Sequence, residues 1–164
     1  MTITVTFVCL GNICRSPLAE GIFRQLLEQS DLADVIQVNS CGTAAFNVGK
    51  SPDPRAVAAA ERAGFNISRQ IARQIDDDDY ANSEYIVAMD RANLMNCQAW
   101  KTKGYTGEIK MLLEYSASLG GGSAQIADPF YSNSAAFDEL IPLLRNACKE
   151  LLAYIVKRHR LSPS

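Results

Sequence analysis

The sequence predicts an α/β fold: a doubly wound sheet of four parallel strands flanked by helices. Three observations predict it. Short runs rich in Val, Ile, Thr and Phe alternate with longer stretches of helical period, the pattern of a parallel sheet covered on both faces. The first run, ITVTFVC at 3–9, holds no turn residue, so it suits a strand buried on both sides. The chain has 164 residues, enough for one domain with a real core, and a single domain over 1–164 is expected.

The elements follow in order. Residues 17–29 place Leu18, Ile22, Phe23, Leu26 and Leu27 on one helical stripe. Ser16 suits the N-cap of that helix and Pro17 its first position. Residues 35–40 form a second strand and 42–54 a loop. A helix over 55–63 stops at Gly64. EYIVAM at 84–89 is a third strand, 91–100 a helix, and 109–113 a fourth strand. Residues 119–128 include three consecutive glycines and form a loop, and 133–158 is mostly helix. Pro142 inside that last pattern costs about 3 kcal/mol in a helix interior, so the helix bends there or a first segment ends there. Asp76, Asp77, Asp78 and Asp79 lack the alternation and closing Glu of a calcium loop. They suit a solvated loop whose last carboxylates lie at a helix N-terminus.

Composition narrows the function. Hydrophobic residues make up 48% and charged residues 21%, ordinary for a globular protein. A net charge of -2 gives no general attraction to nucleic acid or anionic membranes. The apolar N-terminus is too short to span a bilayer and lacks the flanks of a signal peptide, so a cytoplasmic location is expected. The five cysteines are an odd number at scattered spacings, which argues against a disulfide framework. With one histidine, His159, and no cysteine cluster, neither a metal nor a cofactor is expected. The same scarcity disfavours any mechanism with a histidine base.

The chemistry concentrates at FVCLGNICRSP, 7–17. A ligand in a doubly wound sheet sits at the carboxyl ends of the strands, where the loop after the first strand lies. Gly11 allows a turn that other residues resist, and Asn12 tolerates left-handed φ. Successive N–H groups of Leu10, Gly11, Asn12, Ile13 and Cys14 can then face inward and cradle an anion, with the positive end of the next helix behind them. These groups and Arg15 favour a thiolate at Cys9 without a base. Arg15 can grip two phosphate oxygens through its planar fork, and the same donors would hold a phosphoryl group in transit to sulfur. The loop carries neither a Walker motif nor a dinucleotide fingerprint.

VCLGNICRSP at 8–17 closely resembles the active-site loop of the low-molecular-weight protein tyrosine phosphatases. The resemblance continues in SCGT at 40–43, GKSPDPR at 49–55, ARQ at 72–74, AMD at 88–90 and DPF at 128–130. It implies that Cys9 is the nucleophile and forms a phosphocysteine, that Arg15 binds phosphate, and that Asp128 is the general acid and then the base for water. A phenol with pKa about 10 leaves better with a proton, so the chemistry calls for such an acid. The resemblance further implies that Asn12, Ser16 and Ser40 support the loop, Ser16 donating toward the Cys9 sulfur. Phe46, Phe130 and Tyr131 align with an aromatic rim that would favour aryl phosphates. Cys14 aligns with a cysteine able to form a reversible disulfide with the nucleophile, a form of redox protection. Cys41, Cys97 and Cys148 suit the core. Gln70 stands where the family often has a histidine. The implied partners are phosphotyrosine-containing proteins, with inorganic phosphate or other oxyanions as inhibitors, and a monomer is expected.

Three rival readings remain at this level. Arsenate reduction on the same fold needs further cysteines to relay a disulfide, and no close pair follows the third strand. A protein arginine phosphatase of the same family tends to carry Thr where this chain has Ile13. A phosphotyrosine-binding pseudophosphatase should lack Cys9 or Asp128, and both are present.

Overall fold

The structure is a computed structural model that describes residues 2–119 and 124–162. Four parallel strands form one sheet in the order β2-β1-β3-β4: β1 (Ile3–Cys9), β2 (Ile36–Gly42), β3 (Tyr85–Ala88) and β4 (Glu108–Met111). The helices are α1 (Arg15–Gln29), α2 (Pro54–Arg62), α3 (Asp77–Asn82), α4 (Arg91–Ala99) and α5 (Ser134–His159). The strand order reverses direction at β1, which puts the loop after it at a topological switch point.

Alternation along β1 sorts the two cores. Val5, Phe7 and Cys9 join Leu18, Ile22 and Phe23 of α1 and Phe137, Leu144 and Leu151 of α5 in the larger cluster. Val8 meets Cys41, Ile75, Tyr80, Ile86 and Cys97 on the other face. Phe7 and Phe23 meet edge to face at 5.6 Å, and burying a side chain of this size contributes about 1.5–3 kcal/mol. The same alternation turns Cys9 toward the side on which α1 begins.

The expected elements are present, with four differences. α1 begins at Arg15 and its N-cap is Cys14, with no side-chain cap. Ser16 does not cap it, because its hydroxyl is committed to Cys9 and Asn12. Pro17 is therefore the third helical residue, where a missing N–H still costs nothing. The fourth strand ends at Met111, and Leu112–Tyr115 tightens into a 3₁₀ turn. The acidic run builds α3: Asp76 caps it in a reciprocal capping box with Asp79. α5 runs unbroken through Pro142. Pro142 and Asp138, whose carbonyl loses its helical partner, both lie on the exposed face, where water can serve that oxygen. Part of the expected loop at 119–128, residues 120–123, lies outside the described residues. Among the described residues, no helix is long and apolar enough to cross a membrane.

Candidate active site

The loop 10–14 joins the carboxyl end of β1 to the amino end of α1, and it is fastened from outside by its carbonyls. Cys9 O accepts from Thr43 N–H at 2.9 Å, Leu10 O from Ala44 N–H at 3.0 Å, and Ile13 O from Asp53 N–H at 2.8 Å. Gly11 O accepts from the Asn47 amide at 3.4 Å, and Cys14 O takes the first helical bond from Leu18 N–H at 3.2 Å. The N–H groups of Gly11, Asn12, Ile13 and Cys14 donate to no protein acceptor among the described residues. Carbonyls out and amides in is the arrangement that receives an anion.

Asn12 sets this geometry. It adopts φ 57, the left-handed region that Asn tolerates. Its Oδ1 accepts from Arg73 N–H at 3.0 Å, and its Nδ2 donates to Ser16 Oγ at 2.8 Å and Ser40 Oγ at 3.0 Å. Ser40 Oγ in turn donates to Glu20 Oε1 at 2.7 Å, and Arg24 pairs with Glu20 at 2.7 Å. Ser16, having accepted from Asn12, keeps its proton for Cys9 Sγ at 3.0 Å or Cys41 O at 3.3 Å. Gly11 differs from expectation. Its φ is not positive; what it supplies is room, since a Cβ there would lie 2.5 Å from Asn47 Nδ2. Gly42, paired with Cys9 across the sheet, is equally constrained: a Cβ would lie 2.7 Å from Leu10 O.

Arg15 is 1% exposed. Its Nη1 donates to Asp90 Oδ2 at 2.7 Å and Ile126 O at 2.9 Å, and its Nη2 lies 3.5 Å from Asp128 Oδ2. Its Nε is buried without a partner among the described residues. Asp90 uses its other oxygen to cap α4 through Asn93 N–H at 2.8 Å. Asp128 Oδ1 accepts from Phe130 N–H at 3.1 Å, a local turn that leaves Oδ2 facing the guanidinium. Its side chain is 33% exposed.

Cys9, Cys14, Phe46, Asp128, Phe130 and Tyr131 line one cavity of about 190 Å³, with Leu10, Gly11 and Ile13 completing its wall. Phe130 and Tyr131 meet edge to face at 5.0 Å, and Tyr131 is 93% exposed. Cys14 is buried, and burial, then the nearby carboxylate of Asp53, push its thiol far up from the ordinary range. A larger hollow of about 440 Å³ lies at the opposite, amino ends of β3 and β4, between Tyr85, Glu108 and His159, and it holds no cysteine. Chemistry rather than size singles out the smaller cavity.

Cys9, Leu10, Gly11, Ile13, Cys14, Phe46, Asp128, Phe130 and Tyr131 line this cavity, and Asn12, Arg15, Ser16 and Ser40 lie in the layer bonded to it, whereas Cys97 and Cys148 lie in the cores and His159 at the other hollow. Gln70 takes a different route from Asn12: its Nε2 donates to Pro17 O at 3.0 Å, in the first turn of α1. Its Oε1 is buried without a partner among the described residues. Glu20, Asn47, Arg73 and Asp90 support the site and were not foreseen as doing so. Asp90 did carry one local signal, an Asp three residues before Asn93 at a helix start.

Fold and cavity define a doubly wound α/β protein in which a buried cysteine lines a cleft beside a loop whose amides have no protein acceptor among the described residues. The chain belongs to the low molecular weight phosphotyrosine protein phosphatase family, whose model matches residues 4–161. Members of that family are protein-tyrosine phosphatases, and so hydrolases. The chain is 37% identical to the low molecular weight phosphotyrosine protein phosphatase of Sus scrofa, covering 93% of this chain and 95% of that one. The crystal structure of a protein tyrosine phosphatase from Entamoeba histolytica superposes with a TM-score of 0.89 at 26% identity, over 96% and 99% of the two chains. An arginine phosphatase of Drosophila superposes at 0.83 with 30% identity, over 92% and 96%.

Proposed function

We propose that the protein hydrolyses phosphotyrosine in two steps through a phosphocysteine. The observation that carries the reading is the loop after Cys9, whose amides are unpaired among the described residues, together with the Arg15 guanidinium beside Asp128 of the same cavity. In the first step the Cys9 sulfur forms a bond to phosphorus as the bond to the tyrosyl oxygen breaks. Asp128 gives its proton to that oxygen. The amides and Arg15 hold the three remaining phosphoryl oxygens, charged groups already aimed where charge gathers. In the second step Asp128 takes a proton from water, water bonds to phosphorus, and the sulfur leaves. Ser16 donates to the departing sulfur. The aromatic rim of Phe46, Phe130 and Tyr131 would pack on the phenyl ring, favouring aryl over alkyl phosphates. Every group in this sequence comes from the chain, so turnover should survive chelators.

The likeness to an arginine phosphatase supports a second reading, hydrolysis of phosphoarginine. Ile13 on the cavity wall counts against it, since an apolar branched chain meets a charged guanidinium poorly. Turnover of phosphotyrosine and phosphoarginine peptides, each with the parent and with Ile13→Thr, separates the two. Preference for phosphotyrosine that falls in the variant supports the first reading; preference of the parent for phosphoarginine replaces it with the second.

A further inference from the structure

Arg15 holds Ile126 and faces Asp128 directly, and a second side chain from a distant part of the sequence fastens the residues that follow the acid. Arg55, in the first turn of α2, donates through Nη2 to Phe130 O at 2.9 Å and through Nη1 to Ser132 O at 2.9 Å. Its remaining contacts fix the guanidinium itself. Nη2 and Nε meet the two oxygens of Asp53 at 2.9 and 3.1 Å, a fork-on-fork pair. One face lies over the buried Phe137 ring with Cζ 4.5 Å from its centroid, and Phe130 lies at 5.6 Å. Asp53 is buried and caps α2 through Arg55 N–H at 2.9 Å. Its own N–H donates to Ile13 O at 2.8 Å. A continuous chain of hydrogen bonds therefore runs from the loop around Cys9, through Asp53 and Arg55, to the carbonyls on either side of Tyr131.

We propose that Arg55 is a positioning residue for general-acid catalysis: it fixes the distance between the Asp128 segment and the Cys9 loop. The inference rests on the proposed phosphatase reaction for its kinetic meaning. Arg55 is offset from the cavity, since its four donating bonds all go to protein oxygens. It acts only by holding the backbone that carries the acid. Lysine cannot replace it, because a single ammonium cannot span Asp53 and two carbonyls in a planar fork.

The test uses Arg55→Lys and Arg55→Gln in the full chain, with phenyl phosphate and 2,4-dinitrophenyl phosphate as substrates. A displaced acid should lower kcat/KM for the phenyl ester about 10- to 100-fold, within the range of general-acid effects, and for the activated ester by less than about 3-fold. Inhibition by inorganic phosphate should stay within about 2-fold, since the loop around Cys9 keeps its other ties. Added to Asp128→Asn, Arg55→Lys should change the phenyl rate less than about 2-fold, the non-additivity expected of residues acting through one another. Equal losses on both esters, or full additivity with Asp128→Asn, would overturn the proposal. Should Arg55→Gln not fold, Arg55→Lys retains the charge over Phe137 and carries the comparison. Amide hydrogen exchange of the same proteins separates the clamp from the reaction. Exchange should quicken at 128–132 in Arg55→Lys and stay unchanged at 10–14, whether or not the parent turns over either ester. Unchanged exchange at 128–132 refutes the clamp, and an inactive parent refutes the phosphatase reading alone.

Discussion

The Cys9 loop and the Asp128 segment face the same cavity but are held in opposite ways. The first is tied from behind, with Asn12 using both its amide protons and its carbonyl oxygen, and with Glu20, Ser40 and Arg73 behind it. The second keeps Asp128, Phe130 and Tyr131 exposed and is secured by Arg55 from outside. The difference suits two chemical tasks. A nucleophile and its oxyanion donors gain from geometry fixed before the substrate arrives, since reorganisation at the moment of reaction is avoided. A proton donor must reach different leaving groups and let product out, which a lighter tether permits.

The largest effect should come from the fixed region. Cys9→Ser should reduce turnover of an aryl phosphate at least about 10⁴-fold while vanadate still raises the melting temperature, because the donors remain. Retained turnover would remove the nucleophile from the mechanism. Asp128→Asn should cost about 10²- to 10⁴-fold on phenyl phosphate and far less on dinitrophenyl phosphate. Equal losses on the two esters would place its role elsewhere. Asn12→Ala should destabilise the fold by about 1–3 kcal/mol in chemical unfolding, since it leaves the Arg73 N–H without its acceptor. A neutral result would show that the support network is redundant.

The smallest effect concerns pH. The Arg55 side chain hydrogen bonds hold the Asp53 carboxyl below its usual value, against an opposing push from burial. A depressed folded value stabilises the protein above the unfolded pKa of about 3.9, and that stabilisation disappears as pH falls through the folded value. Asp53→Asn should therefore melt below the parent at pH 7, and the gap should close on acidification below about pH 4. A gap independent of pH would assign Asp53 a role in capping alone.

The same contrast explains what could be read from the sequence. The strand, the turn residues, the nucleophile and the arginine of the Cys9 loop are contiguous at 3–15, so local pattern sufficed. The boundaries of β1 match the expected 3–9 because its apolar run ends where the loop begins. Asp128 became legible only through resemblance, since Asp-Pro by itself signals a turn. Arg55 and Glu20 remained hidden because each acts on residues far away in sequence, Arg55 on carbonyls that any residue would offer. From its position alone Ser16 reads as a cap, and only the resemblance points it to the Cys9 sulfur, where it lies. Competition between a cap and a buried sulfur is decided by tertiary neighbours, which local sequence does not report.

Gly42 gives the fixed region one further property. Most catalytic groups can be removed with the fold intact, so stability and activity vary independently at those positions. At position 42 they cannot: a methyl group there would push on Leu10 O and approach the backbone of Gly11 and Asn12 at 3.1 Å. In a saturation library, selection for folded protein alone should deplete substitutions at Gly42 about as strongly as selection for activity, whereas variants at Cys9 or Asp128 should vanish only under the second. At position 42, then, a residue with no side chain and no part in bond-making supports catalysis by the room it leaves for the backbone of the loop beside it.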